Sequence, residues 1–203
     1  MPGFVDPYFD DSIGTLRNLL GAKSPGELRK LEPQIVFANE LELESVDIPR
    51  TNDLIELLAI QAQLFKGVYD WAGQIRSVDI KKNEDGAEYF LIVSKIADAA
   101  SYVFGELAKE NNLKSLDLDL FVERIAYFYD QLNYIHPFRE GNGRTQRIFW
   151  TRVALDAGYE INWDEVIGDE NDKASRLAAE EMDLSVLKAM FVRIVKPLET
   201  EFI

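Results

Sequence analysis

The sequence HPFREGNGRTQR, residues 136–147, is the stretch from which the fold of this 203-residue chain can be worked out. Apolar residues with helical periodicity precede it from about Asp117 to Ile135, and others follow it from about Gly143 to Ala157. The stretch is therefore predicted to be a tight polar loop between two helices, the second of which begins at the loop. Pro137 cannot extend the first helix, and it favours an extended backbone at His136.

The residue types of this loop suit a reaction on a phosphate group. His136 is the only histidine in the chain, and because an unperturbed imidazole titrates near pH ~6.5 it is the candidate general base. The turn 141–143 directly precedes a helix, where backbone N–H groups attract an anion. Arg144 and Arg147 lie three residues apart on one helix face and suit a shared phosphate. Glu140 is the candidate ligand for the Mg²⁺ that usually accompanies phosphates.

Each of these residues also has an ordinary explanation when it is considered alone. A single histidine often forms only hydrogen bonds in a core, a loop glutamate is often solvated, and Gly-Asn-Gly is a common turn. A base, an anion turn and two arginines within one short stretch together favour the functional interpretation. Pro137 and Phe138 are assigned to structure, with the Phe138 ring as a buried anchor, and residue chemistry alone gives Arg139 no clear role.

The composition of the chain limits its other functions. An apolar fraction of 47% and a charged fraction of 29% are typical of a globular protein with a sizeable core. The formal net charge of −14 argues against nucleic acid or an anionic membrane as a partner. The absence of cysteine excludes disulfides, a thiolate nucleophile and a cysteine metal site. No stretch approaches the ~20 apolar residues of a membrane span and no signal-peptide pattern is visible, so a cytoplasmic location is expected.

The rest of the chain predicts an all-α fold with one small hairpin and no larger sheet. Asp85-Gly86 lies between two β-favouring runs, Ile75–Ile80 and Tyr89–Val93, and predicts a two-stranded flap. Its lysines suit either the usual charged hairpin tip or a flap that aligns a partner chain by strand addition. An extended arm is expected over residues 1–14, followed by helices over Thr15–Leu20, from Pro25 with Ser24 as its cap, from about Thr51 to Trp71, from Ser94, over Glu170–Glu181 and over Ser185–Val195.

Residues 136–147 match the motif H-P-F-x-[D/E]-G-N-G-R-x-x-R of Fic-domain proteins at every specified position. The segments 70–76 (DWAGQIR) and 182–185 (MDLS) are also similar to Fic sequences, and the arm Asp6-Pro7-Tyr8 and the length resemble the stand-alone bacterial Fic toxins. The resemblance covers nearly the whole chain. It implies a single Fic domain over residues 1–203, with an N-terminal arm and helices in 1–50 and a helical core in 51–203 that carries a β-hairpin flap over the active site.

The resemblance also implies protein adenylylation, in which AMP passes from ATP to a Tyr, Thr or Ser hydroxyl of a target protein. It makes His136 the base that deprotonates the hydroxyl and Glu140 the ligand of Mg²⁺ between the α- and β-phosphates. Arg144 would contact the β-phosphate region and Arg147 the γ-phosphate. The implied nucleotide-binding residues are Phe138, Arg139, Gly141, Asn142, Gly143, Arg144 and Arg147, with Gly141, Asn142 and Gly143 as the anion hole, and the implied target-docking flap comprises Ile80, Lys81, Lys82 and Asn83.

Regulation and target follow from the resemblance as further expectations. Fic proteins are commonly inhibited by a helix with the pattern [S/T]-x-x-x-E-[G/N], and no Ser or Thr of this chain is followed by Glu four positions later. A separate small antitoxin is therefore expected to supply that helix, and the ATPase subunits of type II topoisomerases are the expected target. Two alternatives remain: a Fic-fold transferase with another donor, such as UMP or phosphocholine transfer, and a module that binds nucleotide without turnover.

Overall fold

Helix α4, Leu118–Ile135, runs through the centre of the protein and carries His136 at its end. Asp117 caps it, since its carboxylate accepts a hydrogen bond from the Leu120 N–H at 2.9 Å. The buried face holds the predicted apolar stripe, Phe121, Ile125, Phe128, Leu132 and Ile135. In this computed structural model, which describes residues 6–81 and 90–199, the predicted all-α architecture is confirmed.

The other helices of the described residues surround α4 in two layers. They are α1 (Pro25–Glu42), α2 (Leu54–Leu64), α3 (Ile96–Lys109), α5 (Asn142–Ala157), α6 (Glu170–Glu181) and α7 (Ser185–Ile194). Helices α3, α5, α6 and α7 pack directly on α4, whereas α2 packs on α5 and α1 packs on α2. The ranges of α5 and α6 agree with the prediction to within a residue, and none of the helices in 6–81 and 90–199 is long and apolar enough to cross a membrane.

Two short antiparallel sheets join segments that are close in space. Strand β1, Phe9–Asp10, pairs with β2, Thr15–Leu16, so the predicted helix over Thr15–Leu20 is wrong. Asp10 closes the intervening turn, because its carboxylate accepts the Ser12 N–H and its carbonyl accepts the Gly14 N–H, both at 2.9 Å. Strand β3, Tyr159–Ile161, pairs with β4, Val195–Pro197, and joins the end of α5 to the end of α7.

Two further predicted elements differ from the structure. Helix α2 ends at Leu64 rather than near Trp71, because Phe65 leaves helical geometry and Gly67 adopts a left-handed conformation with φ of 75°. The runs on either side of the predicted flap are not regular strands in the described residues, although the Phe90 N–H donates to the Ile80 carbonyl at 3.1 Å. The Asp-Gly turn of the flap lies outside the described residues. Ser94 is within a 3₁₀ turn, Val93–Lys95, and does not cap α3.

Helix α1 buries only some of its apolar residues. Leu28 and Val36 are buried, together with Asn39 on the same face, whereas Leu31, Ile35 and Leu41 are exposed. The Asn39 side chain donates to the carbonyls of Leu64 and Lys66, both at 2.9 Å, and so binds α1 to the end of α2. This docking brings the acidic middle of α1 against residues 136–147, as described below.

Candidate active site

His136 ends helix α4 in a left-handed conformation, with φ of 47° and ψ of 63°. The expected extended backbone at this position is therefore wrong. The proline ring disfavours the right-handed helical region for the residue before it, and here the chain reverses through one left-handed residue whose N–H still donates to the Leu132 carbonyl at 3.1 Å. This conformation costs a non-glycine residue roughly 1–2 kcal/mol, so neighbouring contacts must hold it.

The imidazole of His136 is held on two sides. The Phe90 ring stacks on it with ring centroids 3.6 Å apart and planes at 13°. Nδ1 lies 3.2 Å from the Asn133 carbonyl. A carbonyl can only accept, so the tautomer that uses this contact carries its proton on Nδ1 and has its basic lone pair on Nε2. In that tautomer Nε2 is the ring atom that can accept a proton.

Arg76 holds the backbone on which His136 depends, and sequence reasoning did not single it out. The guanidinium is buried and donates almost entirely to carbonyls, and burial lowers its pKa without removing its charge. Its side chain thereby joins both sides of the flap base to the end of α4. The bonds run from Nε to His136 O (2.8 Å), from Nη1 to Val78 O (2.7 Å), and from Nη2 to Ile135 O (3.4 Å) and Leu91 O, while the backbone N–H of Arg76 donates to Pro137 O (2.8 Å).

The turn before α5 is built around Gly141 and Asn142. Gly141 has φ of 80°, and a Cβ at this position would lie 2.1 Å from Cε2 and Cζ of the buried Phe65 ring. Only glycine therefore fits here. The Asn142 side chain closes the turn, accepting the Phe138 N–H at 2.9 Å and donating to the Phe138 carbonyl at 2.8 Å. Asn142 thus has a structural role, and the turn directs the start of α5 outward.

Gly143 differs from Gly141, although both flank the same asparagine. It is exposed, has an ordinary helical backbone, and a Cβ added to it would meet nothing within 4 Å. The first N–H groups of a helix have no intrahelical partner and carry the positive end of its dipole. Gly143 is therefore the point at which an anion can approach the α5 amides without steric hindrance.

Glu140 lies at the edge of the turn with a carboxylate that is 38% exposed. Its Oε1 accepts the Gly141 N–H at 2.8 Å and the Arg144 guanidinium at 3.1 Å. The described residues contain no cluster of three or more metal-ligating side chains. A single exposed carboxylate nevertheless fits Mg²⁺, because this ion keeps several waters and takes its other ligands from substrate phosphates.

The three arginines of the motif have different electrostatic partners. Arg139 forms an ion pair with Asp6 of the N-terminal arm, with Nε 2.9 Å from Oδ2. Arg144 is paired with Glu140 and with Glu32 of α1. Arg147 forms no ion pair with a described carboxylate, and its Nε is buried without a hydrogen-bond partner.

Arg147 is held by aromatic rings instead of by carboxylates. Its guanidinium lies 5.4 Å from the centroid of the Trp163 ring. Arg147 also lies close enough to Tyr129 to affect its titration, and the Tyr129 hydroxyl donates a hydrogen bond to the Asn171 side chain. Burial raises the pKa of Tyr129 to about 12, and the nearby Arg147 charge opposes that rise. The hydroxyl therefore stays protonated and does not neutralise the Arg147 guanidinium, which lines the smaller cavity of the motif described below.

Most of the predicted site residues line two adjoining cavities. A cavity of about 460 Å³ is lined by His136, Arg139–Arg144, Arg147, Asn171 and Asp172. A second, of about 630 Å³, extends from His136 to the flap base and to the start of α6. Among its lining residues are Ile80, Lys81 and Asp6, and also Asn171, Lys173, Ser175 and Arg176 of α6, which had no sequence signal.

Three predicted site residues stand apart from this group. Phe138 is buried and lines neither cavity, so the structure gives its ring the anchor role and no contact with a nucleotide. Lys82 and Asn83 of the flap lie outside the described residues. Every other predicted residue lines one of the two cavities.

This chain has a helical core that places His136 beside a turn at the N-terminus of α5, which is the arrangement expected of a Fic-type protein. The Fic/DOC family model matches residues 52–154, and this chain belongs to that family. It is 39% identical over 173 residues to protein adenylyltransferase VbhT of Bartonella schoenbuchensis, covering 85% of this chain and 36% of VbhT. It is 34% identical to the probable protein adenylyltransferase Fic of Salmonella typhimurium, covering 97% and 96% of the two chains.

The solved structures give the same result for the fold. The crystal structure of BepC, a VirB-translocated effector of Bartonella tribocorum with bound AMPPNP, superposes with a TM-score of 0.85 at 26% identity over 95% of this chain and 97% of that one. The Fic fold predicted from the motif is thus confirmed, and the names of the relatives confirm the expected enzyme class, protein adenylyltransferase.

Proposed function

We propose that this protein transfers AMP from ATP to a Tyr, Thr or Ser hydroxyl of a target protein. The observation that carries the proposal is that His136 and the start of α5 line the same cavity, which places a base beside an anion-binding helix terminus. Two relatives named protein adenylyltransferases and the AMPPNP-bound BepC structure support ATP as the donor.

The residues divide the reaction between proton transfer and charge stabilisation. His136 takes the proton of the target hydroxyl through Nε2, and the hydroxyl oxygen then bonds to the α-phosphorus while the bond from phosphorus to the pyrophosphate oxygen breaks. The α5 amides from Gly143 onward, with Arg144 and Arg147, stabilise the phosphate oxygens. Glu140 would hold Mg²⁺, which when bound neutralises charge on the phosphates.

Labelling of protein with ATP radioactive at its α-phosphate tests this proposal. With Mg²⁺ and cell lysate the purified chain should label a target band, and the His136→Ala variant should give no label. The melting temperature of this variant should equal that of the wild type, which shows that the loss is not due to unfolding. ATP labelled at its γ-phosphate should give no signal, and an excess of UTP or CDP-choline should not compete. Label from the γ-phosphate, or label that survives His136→Ala, would overturn the proposal.

Arg147→Ala isolates the contribution to nucleotide binding of the motif arginine that forms no ion pair with a described carboxylate. Hydrogen bonds to charged groups are worth roughly 1.5–3 kcal/mol, so we expect the KM for ATP to rise roughly 10- to 100-fold. Arg124→Ala is the matched control, since Arg124 pairs with Glu110 away from both cavities. Equal KM values for Arg147→Ala and Arg124→Ala would contradict the phosphate role of Arg147.

A groove that Arg144 and Arg147 also line, and that His136 does not, supports the expected antitoxin. It has a volume of about 960 Å³, and its wall from the α1–α2 connection mixes apolar residues with the acids Glu40, Glu44 and Asp47. A helix bound there would bring a glutamate to Arg147 from the side away from His136. A peptide with the pattern [S/T]-x-x-x-E-[G/N] should therefore inhibit transfer, and replacing its glutamate by alanine should remove the inhibition.

The base of the flap borders the cavity beside His136 and is where a target chain would dock. The ATPase subunit of a type II topoisomerase is the proposed target, and the flap around Ile80 and Lys81, which line the cavity beside His136, would align the target chain. Labelling of the purified subunit, followed by mass spectrometry of the modified peptide, tests this. The setting that we propose is a single Fic domain over residues 1–203 that acts in the cytoplasm, where ATP is abundant.

A further inference from the structure

Arg144 is held by a residue outside the motif, Glu32 in the middle of α1. Nη2 of Arg144 donates to Oε1 of Glu32 at 2.6 Å and to Oε1 of Glu140 at 3.1 Å. The guanidinium also lies 4.7 Å from the centroid of the Phe65 ring, the ring that excludes a side chain at Gly141. Arg144 is 37% exposed and lines the cavity beside His136. One nitrogen of this arginine is therefore shared by two carboxylates, while the guanidinium remains accessible from the cavity.

Glu32 is itself fixed in position, unlike an ordinary surface acid. Its carboxylate is only 13% exposed. The hydroxyl of Tyr69 donates to Oε2, so the two carboxylate oxygens have separate partners. Burial, and then the bond to Glu32, raises the pKa of Tyr69, so this hydroxyl remains a donor throughout the physiological range. Tyr69 stacks on Trp71 at 4.2 Å and on Phe65 at 5.8 Å, which fixes the donor in turn.

Glu32 and Glu140 would respond differently to a bound nucleotide. Glu140 is the residue that would hold Mg²⁺, and a carboxylate drawn toward a cation gives up part of its bond to Arg144. Glu32 is on the other side of Arg144, lines neither cavity of the motif and is held by Tyr69. The Glu32–Arg144 pair would therefore persist if Glu140 turned toward a ligand.

We propose that Glu32, fixed by Tyr69, is a positioning residue that keeps the Arg144 guanidinium in place for the phosphate chain of the nucleotide. This inference rests on the proposed adenylyl transfer, because it assigns Arg144 to the phosphates. Without the ion pair, Arg144 follows Glu140 or moves into solvent. Misplacement of a binding group by about 1 Å costs roughly 10²-fold in rate, so we expect Glu32→Gln to lower kcat/KM for transfer by roughly 10- to 100-fold.

The test compares Glu32→Gln with Tyr69→Phe and with Glu110→Gln in the full chain. Glutamine keeps an acceptor for Tyr69 and removes only the charge, whereas Tyr69→Phe keeps the charge and removes the donor. Glu110 is the matched control, because its carboxylate is paired with Arg124 and lines neither cavity of the motif nor the groove beside α5. We expect a large loss in kcat/KM for Glu32→Gln, a smaller loss for Tyr69→Phe and none for Glu110→Gln, with melting temperatures of all three close to wild type.

A double-mutant cycle separates positioning from a structural effect. If Glu32 acts through Arg144, Glu32→Gln should cause no further loss of kcat/KM in an Arg144→Ala background. Wild-type kcat/KM in Glu32→Gln, or losses that add in the double mutant, would overturn the inference. Calorimetric titration with AMPPNP gives a second readout, in which Glu32→Gln should weaken binding and Glu110→Gln should not.

The same titration distinguishes failure of the inference from failure of the proposed function. If the wild type binds AMPPNP but transfers no AMP, the proposed function fails, while equal AMPPNP affinity of wild type and Glu32→Gln is what refutes the positioning role. If the wild type does not bind AMPPNP, both fail together.

Discussion

Two glycines of the motif, Gly141 and Gly143, should respond in opposite ways to replacement by alanine. At Gly141 the φ of 80° costs alanine roughly 1–2 kcal/mol. The added Cβ would lie 2.1 Å from two carbons of the buried Phe65 ring, and overpacking of this kind typically costs about 1–3 kcal/mol more. Gly141→Ala should therefore lose about 2–5 kcal/mol of the free energy of unfolding.

Gly143→Ala should leave the protein as stable as the wild type but impair catalysis. A Cβ at Gly143 meets nothing within 4 Å, and alanine is the better helix former by up to about 1 kcal/mol. The methyl group would nevertheless stand where an anion approaches the α5 amides. Removal of one preorganised donor from an oxyanion site costs about 10²–10³-fold, which sets the upper limit for the expected loss of AMP transfer.

Urea unfolding, followed by the fluorescence of the three tryptophans, measures the stability of both variants, and labelling with α-phosphate ATP measures their activity. Phe65→Leu removes the two ring carbons that collide with the new methyl group, so in the Gly141→Ala background it should recover part of the lost stability. A wild-type unfolding midpoint for Gly141→Ala would refute the packing argument. Wild-type transfer by Gly143→Ala would refute the approach of an anion to these amides.

Two further predictions concern buried charges away from the motif. The carboxylate of Glu56 is fully buried and paired with Arg152, so Arg152→Met should lower the free energy of unfolding in urea by about 3–5 kcal/mol. Arg50→Ala, which breaks a more exposed pair, should lower it by no more than about 1 kcal/mol. Equal losses in the two variants would contradict the burial argument. Burial raises the pKa of Asp130, so the folded state binds the proton more tightly than the unfolded state and stability falls as pH rises above the ordinary value of 3.8. Asp130→Asn should therefore be more stable than wild type at pH 7, with a difference that shrinks toward pH 3, whereas a difference independent of pH would contradict this assignment.

The sequence predicts the helices around the motif because their determinants are local. Apolar periodicity, the Asp117 cap and the glycine that ends α5 act within a few residues, and α4 and α5 were placed to within about one residue. The helix expected over Thr15–Leu20 failed because the Asp10 turn outweighs a helical propensity spread over six residues. The left-handed His136 was missed because the rule for residues before proline disfavours a right-handed helix without selecting the alternative.

The residues that hold the site together could not be predicted, because their partners are distant or carry no sequence signal. Arg76 bonds to carbonyls, which every residue possesses, so its role is invisible until the chain is folded. Glu32 is 112 positions from Arg144 in the sequence. In the sequence, Phe65 is one more apolar residue of the helix predicted to run to Trp71. In the structure its ring leaves no space for a side chain at position 141. The motif therefore reveals the groups that face a ligand, while their positioning depends on the tertiary structure.

The ion pairs of the motif arginines indicate where an incoming phosphate chain binds most readily. A phosphate at Arg139 competes with Asp6, and one at Arg144 competes with Glu32 and Glu140. Arg147 has no described carboxylate to displace, and its buried Nε lacks a hydrogen-bond partner, a state that costs roughly 1–3 kcal/mol or more for a charged group. Binding of an anion relieves that cost only at Arg147. If the proposed antitoxin helix supplies a glutamate, we expect it to act at Arg147, since this is the motif arginine that no described acid of this chain neutralises.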